Sequence, residues 1–87
     1  MKVVAKPIDM LAWFDKGGTL TPIRFRMTGE DKCNHIIKID RVITMGKEKL
    51  AGNDMLVYRC ESNIEGTEKI YELKFEIKTC KWMLFKI

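Results

Sequence analysis

The chain has little of the material from which catalytic centres are built. It contains one histidine, His35, and three cysteines, Cys33, Cys60 and Cys80, with no Cys-x-x-Cys pair among them. Hydrolytic or transfer chemistry needs a nucleophile with its base, or paired carboxylates, or a metal. Tetrahedral zinc takes three or four such ligands. Cys33 and His35 supply two, on a polar turn, so they read as a solvated histidine beside an incidental cysteine. No catalytic residue, metal ligand or cofactor is assigned, and the chain is not read as an enzyme. The stretch GKEKLAG at 46–52 lacks the Gly-x-x-x-x-Gly-Lys-Ser/Thr order, so no phosphate-cradling loop is indicated.

Other absences bear on location. Three cysteines are an odd number with no disulfide framework in sight, and reduced thiols in a cytoplasmic protein are the simpler reading. The apolar patch nearest the amino terminus, Val3 to Ala5, is far too short for a signal-peptide core or a membrane span. No membrane partner is expected.

Charge of one sign is also scarce. Sixteen Lys and Arg stand against twelve Asp and Glu, a net +4, which permits an anionic partner without demanding one. Even the most basic-looking stretch, residues 24 to 41, holds five basic residues against three acidic ones. With 87 residues, 46% of them hydrophobic and 32% charged, the chain reads as one folded domain over 1–87, its first six residues less ordered.

Helical periodicity hardly occurs, whereas period-two alternation recurs along the chain. Strands are expected at Ile8 to Phe14, Leu20 to Met27, His35 to Met45, Asp54 to Ser62, Lys69 to Ile77 and Lys81 to Ile87. Gly17 and Gly18 suit the first turn, and Pro22, without an amide hydrogen, belongs at a strand start or edge. The long third strand mixes its phases, so a bend or bulge is expected near Asp40 and Arg41. Residues 46 to 53, GKEKLAGN, read as a short helical turn or mobile loop. The fold class is all-β, a six-stranded antiparallel meander curled into a small SH3-like barrel or a strongly twisted sheet.

Two surfaces invite a binding role. Arg24 and Arg26 share one face of the second strand, and Lys38 falls across from them on the third, giving phosphate donors at strand spacing. In the last strand Trp82 and Leu84 take one face while Met83 and Phe85 take the other, and a small domain has difficulty burying both. Met83 and Phe85, with Trp13, are therefore candidate protein contacts, unless Val3 to Ile8 folds over the last strand. Trp13 and Phe14 are adjacent and point to opposite faces, so one of the two is expected in solvent. Arg41 and Arg59 sit in phase with apolar neighbours and read as rim ion pairs, with Asp40, Asp54 and Glu61 as sequence-local partners.

The closing segment YELKFEIKTCKWML, residues 71 to 84, resembles the last hairpin of a family of small uncharacterised bacterial β-proteins. Those carry Glu-Leu-Arg-Tyr-Asp, a short turn ending Thr-Gly, then a basic residue, Trp, any residue and Leu. The matching positions are Glu72, Leu73, Lys74, Phe75, Glu76, Thr79, Lys81, Trp82 and Leu84, and upstream Gly18, Pro22 and Phe25. Members are often encoded beside error-prone, lesion-bypassing DNA polymerases, so the resemblance implies an accessory role in DNA repair, with a polymerase or another protein as partner. The protein would be a monomer or homodimer. A four-residue loop from Ile77 to Cys80 pairs Glu76 with Lys81, Phe75 with Trp82 and Leu73 with Leu84. That register places Cys80, where the family has glycine, in the left-handed backbone region.

Overall fold

The computed structural model describes residues 1–87 except for the side chain of Leu50. It is all-β, with seven antiparallel strands: β1 (Val3–Phe14), β2 (Leu20–Thr28), β3 (Asn34–Lys38), β4 (Arg41–Leu50), β5 (Asn53–Ile64), β6 (Thr67–Glu76) and β7 (Lys81–Lys86). They form one sheet in the order β3-β2-β1-β7-β6-β5-β4. Among the described residues no helix is long and apolar enough to cross a membrane.

The strand order dictates the curvature. β3 and β4 are the two edges of the sheet, yet only Ile39 and Asp40 separate them in the chain. The sheet must therefore curl until its edges meet at one end. Three hydrogen bonds fasten that meeting point: Ser62 Oγ donates to the Lys38 carbonyl at 2.6 Å, the Asp40 amide donates to the Glu61 carbonyl at 3.0 Å, and the Asn63 amide donates to Asp40 Oδ2 at 2.7 Å. The result is a half-barrel, and alternate residues of each strand line its concave side.

The core on that side is Leu20, Phe25, Ile37, Ile39, Tyr58, Cys60, Tyr71, Leu73, Phe75, Trp82 and Leu84. Phe25 of β2 meets Tyr71 of β6 edge to face across the interior, with ring centroids 5.6 Å apart. With the Tyr58–Leu20 and Ser62–Lys38 hydrogen bonds, this contact holds the two halves of the curled sheet together. Two buried tyrosines carry hydroxyls that need partners. Tyr58 donates to the Leu20 carbonyl at 2.6 Å. Ser62 spends its one proton on Lys38, so Tyr71, 2.5 Å away, must donate to Ser62. Burial raises the pKa of both tyrosine hydroxyls above the ordinary value, which keeps them protonated donors.

That relay makes an asymmetric prediction. Tyr71→Phe leaves Ser62 bonded to Lys38 and should cost about 1 kcal/mol. Ser62→Ala strands the Tyr71 hydroxyl and the Lys38 carbonyl together, and should cost about 2–4 kcal/mol in urea denaturation.

Several strand boundaries depart from the sequence expectation, each for a local reason. The long third strand is two strands, because the chain changes sheet edge at Ile39–Asp40. The side-chain phase is reset there: Ile37 and Ile39 are buried, Val42 packs on the core, and Met45 faces solvent. GKEKLAGN is not a loop, since β4 runs to Leu50 and β5 begins at Asn53. The chain reverses on Ala51 (φ 52°) and Gly52 (φ 80°), the pair of positive angles that a two-residue hairpin turn requires. Simple alternation would put Ile23 on the same face as Phe25 and Met27, yet it is exposed. It is the extra residue of a bulge, with Leu11 opposite Arg24 and Ala12 opposite Pro22. Pro22 is buried beyond the last β3 partner of β2, where no amide is wanted on that side.

The closing hairpin has the expected register. Glu76 pairs with Lys81, Phe75 with Trp82 and Leu73 with Leu84. Cys80 has φ 58° and its amide donates to the Glu76 carbonyl at 2.8 Å. Thr79 Oγ1 and Asn53 Nδ2 both donate to the Glu76 carboxylate, and these bonds hold it below the usual carboxylate range. The clasp is therefore complete at neutral pH and loosens as pH falls from the ordinary glutamate range through the lowered value.

Candidate nucleic-acid interface

The convex side of β1, β2 and β3 carries the basic residues singled out above. In an antiparallel sheet, residues directly opposite one another project to the same face. The register therefore builds two rows. One runs Asp9–Arg26–Ile36 and the other Leu11–Arg24–Lys38. Trp13, two residues beyond Leu11, continues the same face and is 65% exposed. Its neighbour Phe14, 66% exposed, also stands in solvent, so both aromatics are out where one was anticipated.

Arg24 and Lys38 are a close pair. The Ile39 amide donates to the Ile23 carbonyl at 2.9 Å, which sets the alternation of the ladder and makes Arg24–Lys38 a non-hydrogen-bonded pair. In such pairs the Cα atoms are about 4.5 Å apart and the side chains approach closely. Two like charges directly opposite are destabilising, and among the described residues neither is in an ion pair. Arg26 is different. Its Nη2 and Nε atoms lie 2.7 and 3.0 Å from Asp9 Oδ2, so much of its charge is answered within the protein. A shallow cavity of about 250 Å³ lies between Leu11, Arg24, Arg26 and Ile36.

The face thus combines two uncompensated cations, a third half-compensated one, and apolar and aromatic side chains at strand spacing. Chemically it can bind phosphate oxygens at Arg24 and Lys38 and stack a base or another flat group on Trp13. The contribution of Leu11 and Ile36 was missed in the sequence, although the alternation Asp9, Leu11, Trp13 carries it.

The second candidate surface is arranged otherwise. Met83 and Phe85 lie on the convex side of β7, half-buried, and Lys74 Nζ sits 3.7 Å from the centre of the Phe85 ring while bonding Glu48 at 2.8 Å. A buried lysine stem thus covers much of this stripe. Val3 to Ile8 does not fold over it; β1 lies beside β7, with Pro7 opposite Met83. Trp13 is six residues further along β1, about 20 Å away at strand rise, so it belongs with Arg24 and not with Met83 and Phe85.

Arg41 pairs with Glu61 at 3.0 Å. Arg59 pairs with Glu72 at 3.2 Å on the neighbouring strand, a partner outside the sequence-local set. On the 29–33 turn, Asp31 accepts the Cys33 amide and lies 3.2 Å from His35 Nε2. The Cys33 amide first, and His35 next, hold the Asp31 carboxyl below its ordinary value. His35 is thereby turned toward a carboxylate, and no cluster of three potential metal ligands occurs among the described residues.

The cysteines differ sharply in access. Cys60 is buried, and burial pushes its thiol up to about 12, whereas Cys33 and Cys80 are exposed. Maleimide treatment of the native protein should label two thiols per chain, and the third only after denaturation. Mass spectrometry of the intact protein reads the count directly.

The chain has no significant match to any family model, curated protein or solved structure.

Proposed function

We propose that this protein is a non-enzymatic accessory module that holds single-stranded nucleic acid on the convex face of β1–β3. The observation that carries the reading is the Arg24–Lys38 pair, two cations held side by side without an acid, next to an exposed tryptophan on the same face. A pair that disfavours the fold and has no internal partner is accounted for by an external anion. Trp13 adds the sequence-tolerant stacking platform that single-strand binders use.

The setting is that of the resembled family, DNA-damage tolerance alongside a DNA polymerase in a bacterial cytoplasm. Three thiols free of disulfides suit that compartment. A second reading, a protein-binding or self-associating module without nucleic acid, is supported by the exposed apolar residues Leu11, Trp13, Phe14 and Ile36.

Anisotropy titration of labelled single-stranded and duplex oligonucleotides at about 50 and about 200 mM salt separates the readings. The first requires single-strand binding that weakens with salt. Absence of binding at the lower salt would leave the protein-binding reading in its place. Copurification of a polymerase from cells expressing the tagged full chain tests the setting independently of DNA contact.

A further inference from the structure

The curled sheet does not close along its whole seam, and a cavity opens beside the free edge of β3. β3 is the outermost strand and pairs only with β2. The ladder alternation established by the Ile39–Ile23 bond turns the odd residues of β3 toward β2 and the even ones, Asn34, Ile36 and Lys38, away from it. The Lys38 carbonyl does point away, since it meets Ser62 Oγ. The amide and carbonyl of Ile36 therefore face a side on which no strand lies.

Across the seam, β5 and β6 extend past the start of β4. Arg41 opposite Glu61 is the first β4–β5 pair, while β5 continues to Ile64. Between this projecting hairpin and β3 lies a cavity of about 640 Å³. Its floor is Met27, Ile37, Ile64 and Ile87, three of them at the margin of the core. At its rim stand His35, Lys38 and Lys69 against Glu65. His35 lies opposite Met27, and Lys69 opposite buried Ser62, which puts both on the concave side.

The geometry points to strand addition: an extended peptide segment pairs with the free edge of β3 through Ile36. The side chains on the peptide's concave face enter the cavity, apolar ones over the floor and an acidic one against His35 and Lys69, while the alternate ones face the convex side. Backbone pairing supplies the general affinity, and the floor and rim supply the selection. The edge is short, five residues, and flanked by lysine, as protected edges are. That limits the partner to a segment with the matching charge. The docking slot shares Ile36 and Lys38 with the nucleic-acid face, and Lys69, on the concave side away from Arg24 and Trp13, is the residue that separates the two readings.

The test uses the full chain and three capped hexapeptides: Val-Thr-Asp-Thr-Val-Thr, whose valines and aspartate share one face, the same peptide methylated on alternate backbone nitrogens, and the version with lysine in place of aspartate. With the first at about 1 mM, a concentration suited to weak binding, amide resonances of Asn34–Lys38 and methyl resonances of Met27, Ile64 and Ile87 should shift in NMR spectra. The methylated and lysine peptides should shift them much less. Lys69→Glu should weaken the aspartate peptide several-fold while leaving oligonucleotide binding intact. Ile36→Pro, which removes the amide facing the slot together with the Ile36 side chain, should abolish peptide binding. If this variant does not fold, Lys69→Glu and the methylated peptide decide alone. Equal shifts with all three peptides, shifts elsewhere, or none at all would overturn the proposal. Concentration-dependent dimerisation that blocks the slot would overturn it in favour of a second copy as occupant.

Discussion

Arg24→Glu should sharply weaken single-strand binding while leaving the fold as stable as the parent or slightly more so. The reason lies in the cross-strand register. Arg24 stands directly opposite Lys38, so the new carboxylate both removes one cation and pairs with the other. Two phosphate contacts are lost through one substitution, and the slope of log K against log salt should flatten by about 1.4, at about 0.7 per contact for single strands. Replacing a like-charged pair with an opposite-charged one should add about 0.2–1 kcal/mol to stability. A purely structural role for Arg24 predicts the reverse, with stability falling and salt dependence unchanged. Denaturant titration and anisotropy on one preparation distinguish them.

Phe25→Ala should be the most damaging single truncation in the concave core. Phe25 is 1% exposed and joins β2 to β6 through its edge-to-face contact with Tyr71. Burial loss and the cavity left behind should cost about 3–5 kcal/mol, with the aromatic contact contributing about 0.5–1.5 kcal/mol of that. A chain of this length has about 4–13 kcal/mol in total. A substantial unfolded fraction at 37 °C is therefore the expected circular-dichroism result. Tyr71 and Ser62 sit on the far side of the same contact, so Phe25→Ala and Ser62→Ala should combine non-additively.

How far the sequence foretold this depends on the range of the interaction. The closing hairpin was legible down to its register and to the left-handed Cys80, because a short loop between alternating segments leaves one way to pair apolar residues on one face. The β4–β5 hairpin was obscured. Gly46, mid-strand, and the Ala51–Gly52 turn look like a loop when read locally, and only nine residue pairings along β4 and β5 override that appearance. The bulge at Ile23 was invisible for a similar reason, as both phases of β2 offer apolar residues and the choice is made by β1 and by the buried Pro22.

The site divides in the same way. Arg24, Arg26 and Lys38 could be placed on one face from alternation alone, and the register confirms that placement. That Arg26 is largely answered by Asp9, seventeen residues earlier, and Arg59 by Glu72 could not be read locally. Both are cross-strand ion pairs, whose existence depends on which strands become neighbours. The burial of Lys74 between Glu48 and Phe85 has the same origin. It turned an apparent apolar stripe at Met83 and Phe85 into a half-covered one.

Tryptophan fluorescence addresses the claim about the β1–β3 face most directly. Trp13 is exposed on it, whereas Trp82 is buried in the core, so the two report separately. Titration with an unlabelled single-stranded oligonucleotide at low salt should quench the solvent-exposed emission, with the quench reversed by added salt and absent in Trp13→Phe. Unchanged emission at low salt, or the same quench persisting in Trp13→Phe, would contradict nucleic-acid binding at this face.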